Sequence, residues 1–248
     1  MMTERKLMII KLISERGAIE VTELARELGM SAVTIRKDLD QLEQEGLLVR
    51  HHGYAVPVSS DDIRYRMTFN YEVKQKIAKM AAGLVKNGES VMIESGSTCA
   101  MLAYELAKSR KDVMIITNSA FIADFIRRCA AVRITLLGGY YDHDAQVMSG
   151  PLTRLCAQQF SVDKFFMGTD GYEVGQGFSN VDLQRAETVR AMAGSAKHNI
   201  IVADSSKFNK RGVVSLMRAD EVSYVVTDFV PENCHSDLER NGVKILLT

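Results

Sequence analysis

The chain has 248 residues, 46% of them hydrophobic and 25% charged, and its 31 basic residues are matched by 31 acidic ones. It is long enough to bury one large core or two smaller ones, and it has the make-up of an ordinary soluble protein. No apolar run approaches the ~20 residues that a membrane helix needs, the opening Met-Met-Thr-Glu-Arg-Lys lacks the apolar stretch of a secretory leader, and Cys99, Cys129, Cys156 and Cys234 show neither CxxC nor metal-ligand spacing. Reduced thiols, a cytoplasmic location and no metal or cofactor are therefore expected. Zero net charge neither demands nor excludes a nucleic-acid partner, so the local distribution must decide.

The first 57 residues read as helices and a hairpin. Leu7, Ile10, Leu12 and Ile13 repeat at helical spacing up to Gly17. Ile19 and Val21 are a short extended entry. Thr22 is placed to cap a second helix, ended by Gly29, and Ser31 a third, from about Ala32 to Glu45, with Val33, Ile35, Leu39 and Leu42 as its core stripe. Two helices joined by a tight glycine-containing turn are the helix-turn-helix pattern. Leu47 to Val56 then reads as two short strands around a turn, a wing. Eight Lys/Arg face nine Asp/Glu here, so this is no basic domain. Yet Ser31, Thr34, Arg36, Lys37, Arg50, His51 and His52 cluster at the start of the third helix and on the wing, where a winged helix meets phosphates and base edges.

Residues 5–57 resemble the N-terminal domain of the DeoR family of bacterial transcriptional regulators. The resemblance is carried by Arg5, Ile9 and Leu12, by Val21-x-x-Leu24-Ala25, and by Ser31-x-x-Thr34-Ile35-Arg36-Lys37-Asp38-Leu39-x-x-Leu42-Glu43-x-x-Gly46. Arg50-x-His52-Gly53 follows, with Tyr54 standing where the family's His-Gly-Gly-Ala ending has its second glycine.

The polar run from Pro57 to Asp62 marks a boundary, and residues 58–70 are expected to be a linker. A helix follows from about Tyr71 to Lys86, ended by Asn87-Gly88. Apolar runs of strand length then recur at 91–93, 113–116, 134–137, 165–167, 200–202, 224–226 and 244–247, most followed by a loop and a helix. Buried strands alternating with helices predict an α/β fold, a doubly wound, mostly parallel sheet over residues 71–248, which binds ligands where its strands end.

The loops expected at those ends are Glu94-Ser95-Gly96-Ser97-Thr98, Thr117-Asn118-Ser119, Gly138-Gly139-Tyr140, Gly168-Thr169-Asp170-Gly171 with Gly177–Asn180 beyond it, and Ala203–Phe208. Gly96 permits a positive φ or a close backbone approach, Ser97 or Thr98 can cap the helix that follows, and free amides at a helix start attract anions. The first loop is thus a candidate phosphate cradle. Lys207 offers a point charge for a phosphate, while Glu94 and Asp170 suit sugar hydroxyls. No GxxxxGK[ST] or GxGxxG occurs, which disfavours a nucleotide.

This half is similar to the DeoR family's C-terminal sensor, through residues 94–98, Thr117-Asn118, Leu137-Gly138-Gly139, Gly150-Pro151, Val162–Gly171, Gly177-Phe178-Ser179, Ala186-Glu187 and Ala203–Phe208. That domain is similar to ribose-5-phosphate isomerase. The resemblance implies a DNA-binding regulator, usually a repressor, of a carbohydrate operon, whose effector is a phosphorylated sugar. Ser97, Thr98 and the amides around Gly96 would hold the phosphate. Asp170, Glu187 and Lys207 would face the sugar, with Glu94, Ser95, Thr117, Asn118, Gly138 and Gly139 around it. Operator DNA and a second copy of the chain, as homodimer or homotetramer, are the expected macromolecular partners. The alternative is a sugar-phosphate isomerase-like enzyme joined to a DNA-binding module, with Glu187 or Asp170 as base and Lys207 as electrophile.

Overall fold

The computed structural model describes residues 4–44, 46–51, 53–59 and 61–248, the side chains of 4, 7, 14 and 15 excepted. The chain divides into two compact units, Met1–Tyr71 and Glu72–Thr248.

The smaller unit runs α1 (Glu4–Arg16), β1 (Ile19–Glu20), α2 (Val21–Glu27), α3 (Ala32–Gln44), β2 (Leu48–His51), β3 (Tyr54–Pro57) and α4 (Ile63–Thr68). Its core joins Ile9, Ile10 and Ile13 of α1, Leu24 of α2, Ile35, Leu39 and Leu42 of α3, and Leu47, Leu48 and Ala55 of the wing. In α3 the buried positions are 35, 38, 39 and 42, spaced to share one helical face. Val33, expected in this stripe, lies off it and is 74% exposed. Its place inside is taken by Asp38, whose carboxylate accepts both Nε and Nη2 of Arg5, at 2.6 and 2.9 Å. A charge buried on this face is tolerated because that two-pronged pairing replaces its water.

Glu20, not Thr22, occupies the position before α2, and no side chain caps that helix. The wing closes between His51 and Tyr54, with Gly53 at φ +89, a conformation that glycine takes without steric cost. Tyr54 pairs with Glu20 across β3 and β1, and its hydroxyl donates to Glu20 Oε1 at 2.8 Å. The residue departing from the family pattern thereby ties the wing to β1.

The stretch expected to be linker contains α4. Asp62 caps it by accepting the Tyr65 amide, and Tyr65 is buried in the core of the smaller unit, edge-on to Phe69 at 5.1 Å.

The larger unit runs α5 (Tyr71–Gly83), β4 (Ser90–Ile93), α6 (Ser97–Ser109), β5 (Val113–Thr117), α7 (Ala120–Ile126), β6 (Val132–Leu136), β7 (Tyr140–Asp142), β8 (Val147–Ser149), α8 (Pro151–Ala157), β9 (Val162–Met167), β10 (Gly171–Glu173), β11 (Gly177–Asn180), α9 (Leu183–Ala193), β12 (Ala196–Val202), β13 (Val214–Met217), β14 (Tyr224–Thr227), α10 (Glu232–Arg240) and β15 (Lys244–Leu247). The apolar runs read from the sequence become one seven-stranded sheet in the order β15-β14-β12-β9-β4-β5-β6, parallel at every pairing. The antiparallel pair β7–β8 and the small sheet β10-β11-β13 were not legible, being strands of only three or four residues, too short to show a period.

This topology decides where a site can lie. Because the strands are parallel, their carboxyl ends share one edge. From β4 the chain moves to β5 and β6 on one side, then β9 starts the other side, followed by β12, β14 and β15. The order reverses between β4 and β9, and a crevice opens at such a reversal.

Candidate functional site

At the reversal Glu94 leaves β4 and Gly168 leaves β9. The Glu94 amide donates to Phe166 O at 2.9 Å, and Glu94 Oε2 accepts the Gly168 amide at 3.2 Å. Glu94 is 7% exposed, and that hydrogen bond ties its carboxylate to the loop leaving β9. α6 begins directly beyond it. Gly96 is the residue before the helix; its φ of 173° is extended backbone, and no side chain caps α6. The positive φ and the Ser97 or Thr98 cap expected from the sequence are therefore not what Gly96, Ser97 and Thr98 supply. Ser97 and Thr98 are the first helical residues, both nine-tenths buried, and among the described residues neither hydroxyl has a hydrogen-bond partner. Their amides have none either, as the first turn of a helix requires. Two amides, two hydroxyls and the positive end of a 13-residue helix converge there, a fitting receptor for an oxyanion.

Beside this, the β5 loop acts as scaffold. Asn118 Oδ1 accepts the Ser95 amide at 3.2 Å, and Asn118 Nδ2 donates to Met148 O at 3.1 Å. Thr117 Oγ1 accepts the Ser119 amide, and Ser119 caps α7. Thr117 and Asn118 are fully buried; Asn118 holds the turn at 95, and Thr117 holds the residue that caps α7. Gly138 has open space where a Cβ would stand. Gly139 does not: a Cβ there would lie 1.8 Å from Thr153 Oγ1 and 2.8 Å from Ser149 O. That glycine answers to packing against α8.

On the other side of β9, the loop after β12 is braced from several directions. Asp204 Oδ1 accepts the Ser206 amide at 3.1 Å, and the Ser205 amide and hydroxyl both donate to Asp228. Phe208 packs edge-on to Tyr172 at 5.9 Å, and the Tyr172 hydroxyl donates to Asp237 Oδ2 at 2.7 Å. Burial alone would push the Asp204 carboxyl up. The Ser206 hydrogen bond and the Lys74 and Lys207 charges outweigh this and hold it below the usual carboxylate range. Lys207 thus stands within electrostatic reach of Asp204, half-buried, on the same edge as residues 94–98 and separated from them by β9.

Two expected sugar-facing acids are engaged elsewhere. Glu187, on α9, is ion-paired with Arg154 of α8. Asp170 Oδ2 accepts the Val181 amide at 3.1 Å, closing the β10–β11 hairpin. Lys74 escaped the sequence reading; its signal was a lysine spaced with Ile77, Ala78 and Ala81 on one face of α5, all of them buried. Among the described residues no cluster of His, Cys, Asp and Glu is arranged to hold a metal ion, and no helix is long and apolar enough to cross a membrane.

In the smaller unit, α3 offers a surface suited to nucleic acid. Ser31 Oγ accepts the Thr34 amide at 3.1 Å and lies 2.9 Å from the Thr34 hydroxyl, starting the helix. Val33, Arg36, Lys37 and Asp40 share the outward face. Arg36 and Lys37 are exposed, and among the described residues neither is held by an ion pair. Arg50 is held: its guanidinium pairs with Asp40 and its amide donates to Glu43 Oε1 at 2.8 Å. It masks an acid on the outward face instead of standing free for a phosphate. His51 is exposed, and His52 lies outside the described residues.

Comparison with known proteins agrees with both halves. Residues 5–61 match the DeoR-like helix-turn-helix domain and residues 69–229 the DeoR C terminal sensor domain. The glycerol-3-phosphate regulon repressor of Haemophilus influenzae is 31% identical over 242 residues, 96% of this chain and 94% of that protein. The repressor of the same name in Escherichia coli is 30% identical over 232 residues, 92% of each. Ribose 5-phosphate isomerase A of Methanocaldococcus jannaschii aligns over 56% of this chain and 55% of its own, at 20% identity and a TM-score of 0.42. The chain therefore belongs to the DeoR family of DNA-binding transcriptional regulators.

Proposed function

We propose that the protein represses a carbohydrate-utilisation operon in the bacterial cytoplasm and releases its operator when a phosphorylated sugar or polyol binds the larger unit. The observation that carries this reading is the convergence at the β4/β9 reversal. The open first turn of α6 with Ser97 and Thr98, the Glu94 carboxylate, and Lys207 across β9 meet on one edge of the sheet. A phosphate fits the α6 turn, and hydroxyls suit the carboxylate. The glycerol-3-phosphate regulon repressors among the relatives support a phosphorylated polyol as the class of ligand. Arg36 and Lys37, with the exposed Val33, supply phosphate contacts and an apolar contact to a thymine methyl. Paired half-sites call for a homodimer or homotetramer.

We read the chain as a sensor and not as an isomerase. The carboxylate that an aldose–ketose isomerase needs beside its substrate carbon is not free in Glu187, which is paired with Arg154.

The test uses labelled DNA from the chain's own promoter and a panel of sugar and polyol phosphates. Fluorescence anisotropy is expected to give nanomolar binding, weakened by the same compound that raises the melting temperature. Lys207→Ala is expected to erase that thermal shift and to leave DNA binding intact. A wild-type protein whose melting temperature no compound moves would overturn the effector assignment.

A further inference from the structure

Lys74 is 7% exposed and shares the buried face of α5 with Ile77, Ala78 and Ala81. An ammonium group sits among apolar side chains only where anionic groups replace its lost hydration. α5 precedes β4 through a short connection and therefore runs against it, which brings its first turn to the edge where the strands end. Two buried carboxylates mark that edge, Glu94 after β4 and Asp204 after β12, with only β9 between them. The Lys74 charge helps to hold the Asp204 carboxyl below its usual range. So a buried cation and its counter-charge lie on the edge that carries the proposed phosphate cradle.

A second observation concerns the chain path. The smaller unit ends at Tyr71, which is also the first residue of α5. Lys74 therefore follows the boundary within one helical turn. Asn70, just before it, has φ +50, a left-handed turn that asparagine accommodates better than most side chains. α5 therefore begins where the smaller unit ends.

We propose that Lys74 is the positioning residue that passes occupation of the sugar-phosphate site to the DNA-binding unit. The ammonium fastens the first turn of α5 to Asp204. A phosphate arriving on the same edge is a new anion that competes with Asp204 for that ammonium. The first turn of α5 then takes a different position in the occupied and empty states, which gives the ligand the unequal affinity for two states that regulation requires. The proposal rests on the effector reading above and deepens it: Ser97, Thr98 and Lys207 hold the ligand, and Lys74 reports it.

The experiment uses the full-length protein, promoter DNA, and glucose 6-phosphate, fructose 6-phosphate and glycerol 3-phosphate as probes. Lys74→Met is expected to bind the DNA within threefold of wild type and to keep a reduced thermal shift. The loss of DNA affinity on adding the active probe should shrink at least tenfold, a coupling loss of about 1.4 kcal/mol. Lys74→Arg, which keeps the charge, is expected to retain part of the response. A purely structural lysine would lower melting temperature and leave the coupling ratio unmoved. Lys74→Met that still releases DNA as wild type does overturns the proposal. If Lys74→Met does not fold, Asp204→Asn is the second variant, which removes the counter-charge at constant volume; full release there overturns the proposal equally. A wild type that none of the three probes affects sinks the effector reading itself, whereas a responsive wild type beside a responsive Lys74→Met sinks this proposal alone.

Discussion

Individual residues separate packing from recognition most sharply at the glycine pair after β6. Gly138 and Gly139 read alike in the sequence, but only Gly139 has no room for a side chain, since a Cβ would collide with Thr153 and the Ser149 carbonyl. Gly139→Ala is expected to destabilise the larger unit by about 1–3 kcal/mol, a fall in melting temperature of roughly 2–4 °C per kcal/mol at this size. Gly138→Ala should leave it within a degree or so, as measured by scanning calorimetry. Arg50 makes a similar point in the smaller unit. Because it neutralises Asp40 on the outward face of α3, Arg50→Ala exposes an acid to approaching phosphates and should weaken DNA binding severalfold. Adding Asp40→Ala should recover most of the loss in anisotropy titrations; a double variant as weak as the single one would instead assign Arg50 to direct phosphate contact.

Among the elements, α3 and α6 are the two whose N-terminal halves we propose meet a ligand, and what they offer differs. α3 offers side-chain charge. If Arg36 and Lys37 each neutralise one phosphate, the double alanine variant should lower the slope of log affinity against log salt by about 2; an unchanged slope would place DNA on another surface. α6 offers backbone dipoles and two buried hydroxyls, so its contribution is short-ranged and specific in geometry. The sequence announced both helices through apolar spacing. The cap at α6 was misread because Ser97 and Thr98 are chemically able to cap, and the extended backbone at Gly96 that places them inside the helix is set by its neighbours in the fold.

At the level of the whole molecule the division into two units makes a separable prediction. A fragment of residues 72–248 contains the complete seven-stranded sheet and its edge loops. It is expected to fold, to keep the thermal shift with the sugar phosphate that moves the full chain, and to lose promoter binding. A fragment that folds but shows no shift would require residues of the smaller unit in the ligand site. The full-length chain should release a phosphorylated ligand and its operator reciprocally, since the coupling free energy between two sites is the same from either end.

The sequence by itself determined the strands of the parallel sheet, the helix-turn-helix and the wing, because buried strands are continuous apolar runs and buried helix faces recur at 3.6 residues. Both signals are local and survive in one dimension. It also determined the polar character of the edge loops, since small, hydroxyl and glycine residues are what tight turns and ligand cradles both require. Only the tertiary structure decided which of those polar groups are free. Asn118 is consumed by Ser95 and Met148, Glu187 by Arg154, Arg50 by Asp40 and Asp38 by Arg5. Those pairings join residues from 10 to 33 positions apart, and charge and hydrogen-bonding capacity are properties of a residue that its partners cancel. Lys74 is the converse case: an ordinary lysine in the sequence, it is buried on α5 and its charge acts on Asp204, 130 residues away.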